Sequence, residues 1–199
     1  MEGRRAEERG GPVGGLDKSS ASGPNKGSGL NKGLERVVVA LRWDPSPPGA
    51  APHDLDLIAA TYGAGDPHGE PAYLVHFDSR SPDGTITLNR DSQDGKGFGD
   101  DEVLTLELDR LSPDYVRVVV GVAIQQGDGR LTFGGVAGTS VHVREGREQL
   151  AEDDFSGVGG ATAARVAEFV RDGSGAWTFR GGVHGFDADP AAFVRVMGR

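Results

Sequence analysis

Apolar residues along this chain come in short runs broken by glycine, proline, serine and aspartate. Val37 to Trp43 is β-branched and apolar, Leu55 to Tyr62 is mixed, and Ala72 to Phe77 follows a Gly-Glu-Pro turn. Ser81-Pro-Asp-Gly84 is strong turn chemistry, and Thr85 to Leu88 follows it. In Val103 to Leu108, three leucines alternate with Val103, Thr105 and Glu107, the period of two of a half-buried strand. Val116 to Ile124 is the most apolar stretch and predicts a central strand. Gln126-Gly-Asp-Gly129 has the composition of a hairpin turn, and Phe133 to Val143 and Trp177 to Gly182 continue the strand pattern. Many short strands at this spacing predict an all-β fold, a β-sandwich.

Two segments depart from that pattern. Ala163, Val166, Ala167 and Val170 sit at helical spacing, yet Val166 and Val170 also fit a strand alternating with Arg165 and Phe169. Periodicity leaves both open. Near the end, Asp189 reads as a helix cap, Pro190 fits a first turn and Gly198 ends a short C-terminal helix.

Residues 1–29 are rich in Gly, Ser and charged side chains and have almost no large apolar ones. Such a segment cannot offset its ordering entropy, so a disordered tail is expected there, with the domain spanning 30–199. The 199 residues carry 33 glycines, 11 prolines and no cysteine, which excludes disulfides and thiolate chemistry. No apolar run is long enough to span a membrane, and Met1 to Gly15 lacks a signal-peptide core, so a cytoplasmic protein is expected. The net charge is −9, and the negative balance sits entirely outside the first 29 residues. That disfavours nucleic acid and suits a cation or a basic partner.

The acids are concentrated. Asp91 to Glu102 holds five carboxylates and three glycines in twelve residues. A core cannot hold so many acids, and regular elements tolerate the glycines poorly. Either the segment is a solvated acidic turn, or a hard cation such as Ca²⁺ removes the repulsion by taking oxygens from carboxylates and carbonyls. Asp91 and Glu102 have the spacing of the first and last ligands of an EF-hand loop, but Gln93, Gly95 and Lys96 break the rest of that pattern. A second acidic element is Asp54-Leu-Asp56, whose two carboxylates share one face if the segment is a strand.

These motifs together resemble the TerD-like family of tellurium-resistance and general stress proteins. The resemblance is carried by Leu30-Asn-Lys-Gly33, Trp43-Asp44, Asp54-Leu-Asp56, Ser81-Pro-Asp-Gly84 and Gly99-Asp-Asp-Glu102, in that order. Phe133-Gly-Gly-Val136, Val141-His-Val-Arg144, Ala161-Thr-Ala163 and Trp177-Thr-Phe179 extend it to about residues 30–199. It implies a sandwich of two antiparallel sheets, a strand at 161–171, and Ca²⁺ held by Asp54, Asp56, Asp91, Asp100, Asp101 and Glu102. Carbonyls around Gly95 and Gly97 are implied additions, and Asp78, near the family's Asn-Asn pair, is a further one. The setting it implies is a cytoplasmic bacterial response to tellurite or other chemical stress, with protein partners in a stress-response complex.

The chain departs from the family pattern where Lys96 replaces an acid and Phe98 an aspartate, while Asp94 adds a carboxylate. Fewer oxygens and a nearby ammonium weaken a calcium site, so one ion is expected where the family holds two. An enzyme lacks its usual marks: there is no Gly-x-Ser-x-Gly elbow, no P-loop and no His-Glu-x-x-His. His53, His68, His76, His142 and His184 are scattered, and Trp43 and Trp177 read as core. A non-enzymatic calcium-binding protein is therefore expected. The alternatives are a metal-dependent hydrolase of phosphate or nucleotide substrates at the same acids, and an adaptor with structural calcium.

Overall fold

The computed structural model describes residues 33–127 and 129–199. The tail expected at 1–29 lies outside them. Among the described residues, ten strands form two antiparallel sheets of five, and one α-helix lies near the C-terminus. The strands are β1 (Arg36–Arg42), β2 (Leu55–Gly63), β3 (Tyr73–Val75), β4 (Ile86–Arg90), β5 (Glu102–Glu107), β6 (Tyr115–Ile124), β7 (Ser140–Glu145), β8 (Glu148–Asp153), β9 (Ala163–Arg171) and β10 (Trp177–Phe186), and the helix is α1 (Pro190–Val196). The first sheet runs β4-β5-β1-β7-β8 and the second β10-β9-β6-β2-β3. The all-β sandwich expected from the sequence is what forms.

The core between the sheets takes alternate residues from each strand. Val37, Val39 and Leu41 of β1, and Leu104 and Leu106 of β5, meet Leu57, Ala59, Val118, Val120 and Val122 of the second sheet. The outer face of the second sheet is buried too. Ile58, Ala60, Tyr62, Val119 and Ala123 pack there against Phe193 and Met197 from α1 and its end. Strand β2 thus has apolar neighbours on both faces, which is why its sequence does not alternate. Gly121 makes room for the helix: a Cβ there would stand 2.5 Å from the Phe193 ring. The helix begins as its sequence implies, with Asp189 Oδ1 accepting from Ala192 N at 2.7 Å and Pro190 in the first turn.

Strand β6 is the middle of its sheet, as its apolar run predicts, and 163–171 is a strand paired on both sides. Three expectations need correction. Phe133 to Val143 is not one strand, because a 3-10 turn at Phe133–Gly135 precedes β7. The glycines there allow close approach, with Gly134 N donating to Gly159 O at 2.8 Å. Gln126 to Gly129 does not close a hairpin, since β6 and β7 belong to different sheets. Ala72 to Phe77 shrinks to the three-residue β3, ended by a turn in which His76 and Ser79 pair through their backbones.

Arg117 of β6 ties the outer layer together. Its guanidinium is buried, bonds Glu168 at 2.6 Å, and donates to the carbonyls of Pro67 at 2.9 Å and Gly198 at 2.7 Å. It also lies over the Tyr62 ring. Replacing it removes a donor from two carbonyls and leaves Glu168 without its closest cation. Arg117→Met is expected to lower stability by about 3 kcal/mol in urea unfolding.

Candidate metal centre

The acidic segments converge at one end of the sandwich. Asp56 comes from β2, Asp91 from the first position after β4, and Glu102 from the start of β5. One carboxylate oxygen of each lies within 4.8 Å of the others. Glu102 is 0% exposed and Asp56 4%, whereas Asp91 faces solvent. Among the described residues, no Lys, Arg or His forms an ion pair with any of the three.

Each buried acid has one oxygen committed to protein. Strand β3 covers β2 only at Ala59 to Thr61, so the Leu57 N–H emerges beyond its end. Glu102 Oε2 reaches across from the other sheet and accepts it at 2.5 Å. Asp56 Oδ2 accepts from Gln125 Nε2, also at 2.5 Å. Glu102 Oε1 is buried and accepts nothing from the described residues.

The electrostatics follow from this crowding. Burial raises the Glu102 carboxyl to about 10, and the neighbouring Asp91 and Asp56 carboxylates add to the rise. Asp56 is raised to about 6, chiefly by burial and then by Asp54. Asp54 is raised as well, by burial and by Asp91. Asp54 therefore belongs electrically to the cluster although its carboxylate lies outside the tight group of three.

The connecting loop is shaped by its glycines and seated on Trp43. Gly95 has φ +66°, and a Cβ there would stand 2.6 Å from Trp43 Nε1. The indole N–H donates to His53 O at 3.0 Å, which fixes the ring beneath the loop. Gly95 N donates to Ser92 Oγ at 3.2 Å. Gly97 and Gly99 also have positive φ, and Arg90 Nη1 donates to Phe98 O between them at 3.0 Å. Lys96 turns outward and pairs with Asp94 at 2.9 Å, so its ammonium faces that acid rather than the cluster.

The remaining implied ligands are placed differently. Asp101 is buried, with Oδ2 accepting from Trp43 N at 3.0 Å and its own N–H donating to Leu41 O at 2.8 Å. It extends the β1–β5 pairing past the strand end. Asp100 is half-buried and lies outside the tight group. Asp78 is exposed in the turn after β3, where its N–H donates to His76 Nδ1 at 3.3 Å. Gln125 escaped the sequence reading, because nothing in its local pattern marks it as a partner of Asp56.

Residues 26–195 match the TerD domain model. The chain belongs to the TerD domain family. It is 30% identical over 156 residues to the tellurium resistance protein TerD of Alcaligenes sp, covering 74% of this chain and 79% of that one. It is 25% identical to general stress protein 16U of Bacillus subtilis, covering 75% and 80%. The crystal structure of a Streptomyces coelicolor A3(2) homologue of the telluride resistance protein TerD superposes with a TM-score of 0.82 at 57% identity, covering 84% of this chain and 99% of that one. The TerD domain here thus carries three mutually close carboxylates at one end, two of them buried.

Two outcomes are expected of this end of the TerD domain. Glu102 and Asp56 hold their protons to higher pH when folded than when unfolded, where carboxyls titrate near their ordinary values. Protonation therefore favours the folded state, and that contribution is lost as pH rises from the ordinary range to about 6 for Asp56 and about 10 for Glu102. With chelator present, urea midpoints should fall between about pH 5 and about pH 8, and Glu102→Gln should flatten the slope. Asp101→Ala strands the buried Trp43 N–H and should cost about 2 kcal/mol in the same assay, with or without added cation.

Proposed function

We propose that this TerD-family protein is a calcium-binding module of a bacterial stress response, with Ca²⁺ held by Asp56, Asp91 and Glu102 and supported by Asp54. The observation that carries the reading is the buried Glu102 oxygen that accepts no hydrogen bond from the described residues, set beside two other carboxylates. Buried acids are costly unless they are protonated or meet a cation. Here no protein cation answers them among the described residues, and a cation would take up the free Glu102 oxygen together with oxygens of Asp56 and Asp91. Solvent-facing Asp91 lies where an ion would enter. The glycine-shaped loop favours the looser oxygen shell of Ca²⁺ over the strict octahedron of Mg²⁺. Carbonyls near Gly95 and Gly97 remain the candidates to complete that shell.

Once bound, the ion supplies positive charge and fixes the loop geometry, coupling occupancy to stability. The Lys96–Asp94 pair leaves the lysine charge already answered, so Lys96 weakens the site less than its position in the sequence implies. Asp101, by contrast, acts through the backbone it caps. The relatives named for tellurium resistance and general stress support a stress-response setting for this module.

The test is a calorimetric Ca²⁺ titration of metal-stripped protein with excess Mg²⁺ present. Binding is expected to release a proton from Glu102 at neutral pH, so the heat should vary with the ionisation enthalpy of the buffer. Asp91→Asn, at an exposed position, should fold normally and weaken Ca²⁺ by about tenfold or more. A wild-type protein that gives no heat, and whose thermal midpoint ignores Ca²⁺, overturns the reading.

A further inference from the structure

Phe98 is 99% exposed and Phe77 is 55% exposed, the two large apolar side chains left in solvent among the described residues. They flank the same end of the molecule. Phe77, Arg90 and Asp91 line one cavity of about 600 Å³ between the edge strands β3 and β4. The Arg90 guanidinium in turn holds the Phe98 carbonyl. Single exposed apolar residues are ordinary on a soluble surface, but two aromatic ones beside one charged site mark an interaction surface.

Arg80 lines the same cavity. Neither Arg80 nor Arg90 forms an ion pair with a carboxylate among the described residues. Two guanidinium groups without a carboxylate partner, one of them also holding the Phe98 carbonyl, stand beside Ser79 and Asn89 and suit a phosphate. Phe98 stands at the tip of a loop seated below on Trp43, so its ring projects rather than folding back. A projecting ring beside phosphate-binding groups matches an interface that yields around the ring and offers phosphates at its surface.

We propose that this end of the sandwich docks onto an anionic phospholipid surface, with Phe98 and Phe77 entering the headgroup region and Arg80 and Arg90 engaging lipid phosphates. The inference rests on the calcium reading for its control. Without an ion, Asp54, Asp56 and Asp91 present negative charge to a negative surface. The ion's two positive charges reduce that repulsion, and membrane attraction of the basic groups can act.

The experiment is co-sedimentation of the full chain with phosphatidylglycerol-containing vesicles and with pure phosphatidylcholine vesicles, in Ca²⁺ and in chelator. Sedimentation with the anionic vesicles in Ca²⁺, released by chelator, is expected. Phe98→Ser should lower partitioning about tenfold while its Ca²⁺ titration stays that of the wild type. Arg80→Gln should weaken binding to anionic vesicles only. A wild-type protein that takes up Ca²⁺ and stays in the supernatant overturns the proposal, as does Phe98→Ser that sediments like wild type. Displacement from vesicles by soluble glycerol phosphate assigns the arginines to a free ligand and overturns the surface. If no Ca²⁺ is taken up, the ion reading fails by itself. Vesicle binding in chelator that Phe98→Ser abolishes then supports the surface, and its absence overturns it.

Discussion

A single buried carboxylate joins the two sheets at the end where the acids gather. Glu102 starts a strand of the first sheet, and its Oε2 accepts the Leu57 N–H from the second. That N–H lies beyond the reach of β3, so without Glu102 it would be a buried donor lacking a partner. The same bond holds Glu102 rigidly and leaves its other oxygen aimed at no protein donor. Structural necessity and candidate chemistry thus meet in one side chain. Asp56 and Asp91 are brought to it by the sheet packing and by the end of β4.

Around that residue, acids of similar type do different work. Burial raises the Asp56 and Glu102 carboxyls, and the close like charges around them add to the rise. Asp101, next to Glu102 in sequence, points to the other side of the strand start and caps the Trp43 N–H. Asp94 is answered by Lys96. The loop between them is held at its base by the fit of Gly95 onto the Trp43 indole and nearer its tip by Arg90. The substitutions that set this chain apart fall outside the tight carboxylate group. Lys96 and Phe98 fall on the outer part of the loop, while the tight carboxylate group lies beneath it.

Much of this was legible in the sequence, and the failures have physical reasons. Alternation identified β5, apolar density identified β6, and cap chemistry identified α1. Strand β8 was missed because it is a sheet edge whose Glu148, Gln149 and Glu152 are exposed, which leaves little apolar signal. The apparent hairpin at Gln126 to Gly129 has the right turn residues, but turn composition does not tell whether the chain returns to the same sheet. Phe133 to Val143 looked continuous because the 3-10 turn also buries apolar side chains, Phe133 among them.

The sequence by itself determined an all-β chain, a concentration of acids flanking Asp54 to Asp56 and Asp91 to Glu102, and the family, because these depend on periodicity, composition and motif order. Only the tertiary structure decided which acids meet. Asp56 and Glu102 are 46 positions apart, yet they share one small volume because β2 and β5 face each other across the sandwich. Asp101 and Asp78 carry the same functional group and are drawn elsewhere, one to a backbone N–H and the other to an exposed turn. Residue type sets what a carboxylate can do, and its neighbours in space set which of those things it does.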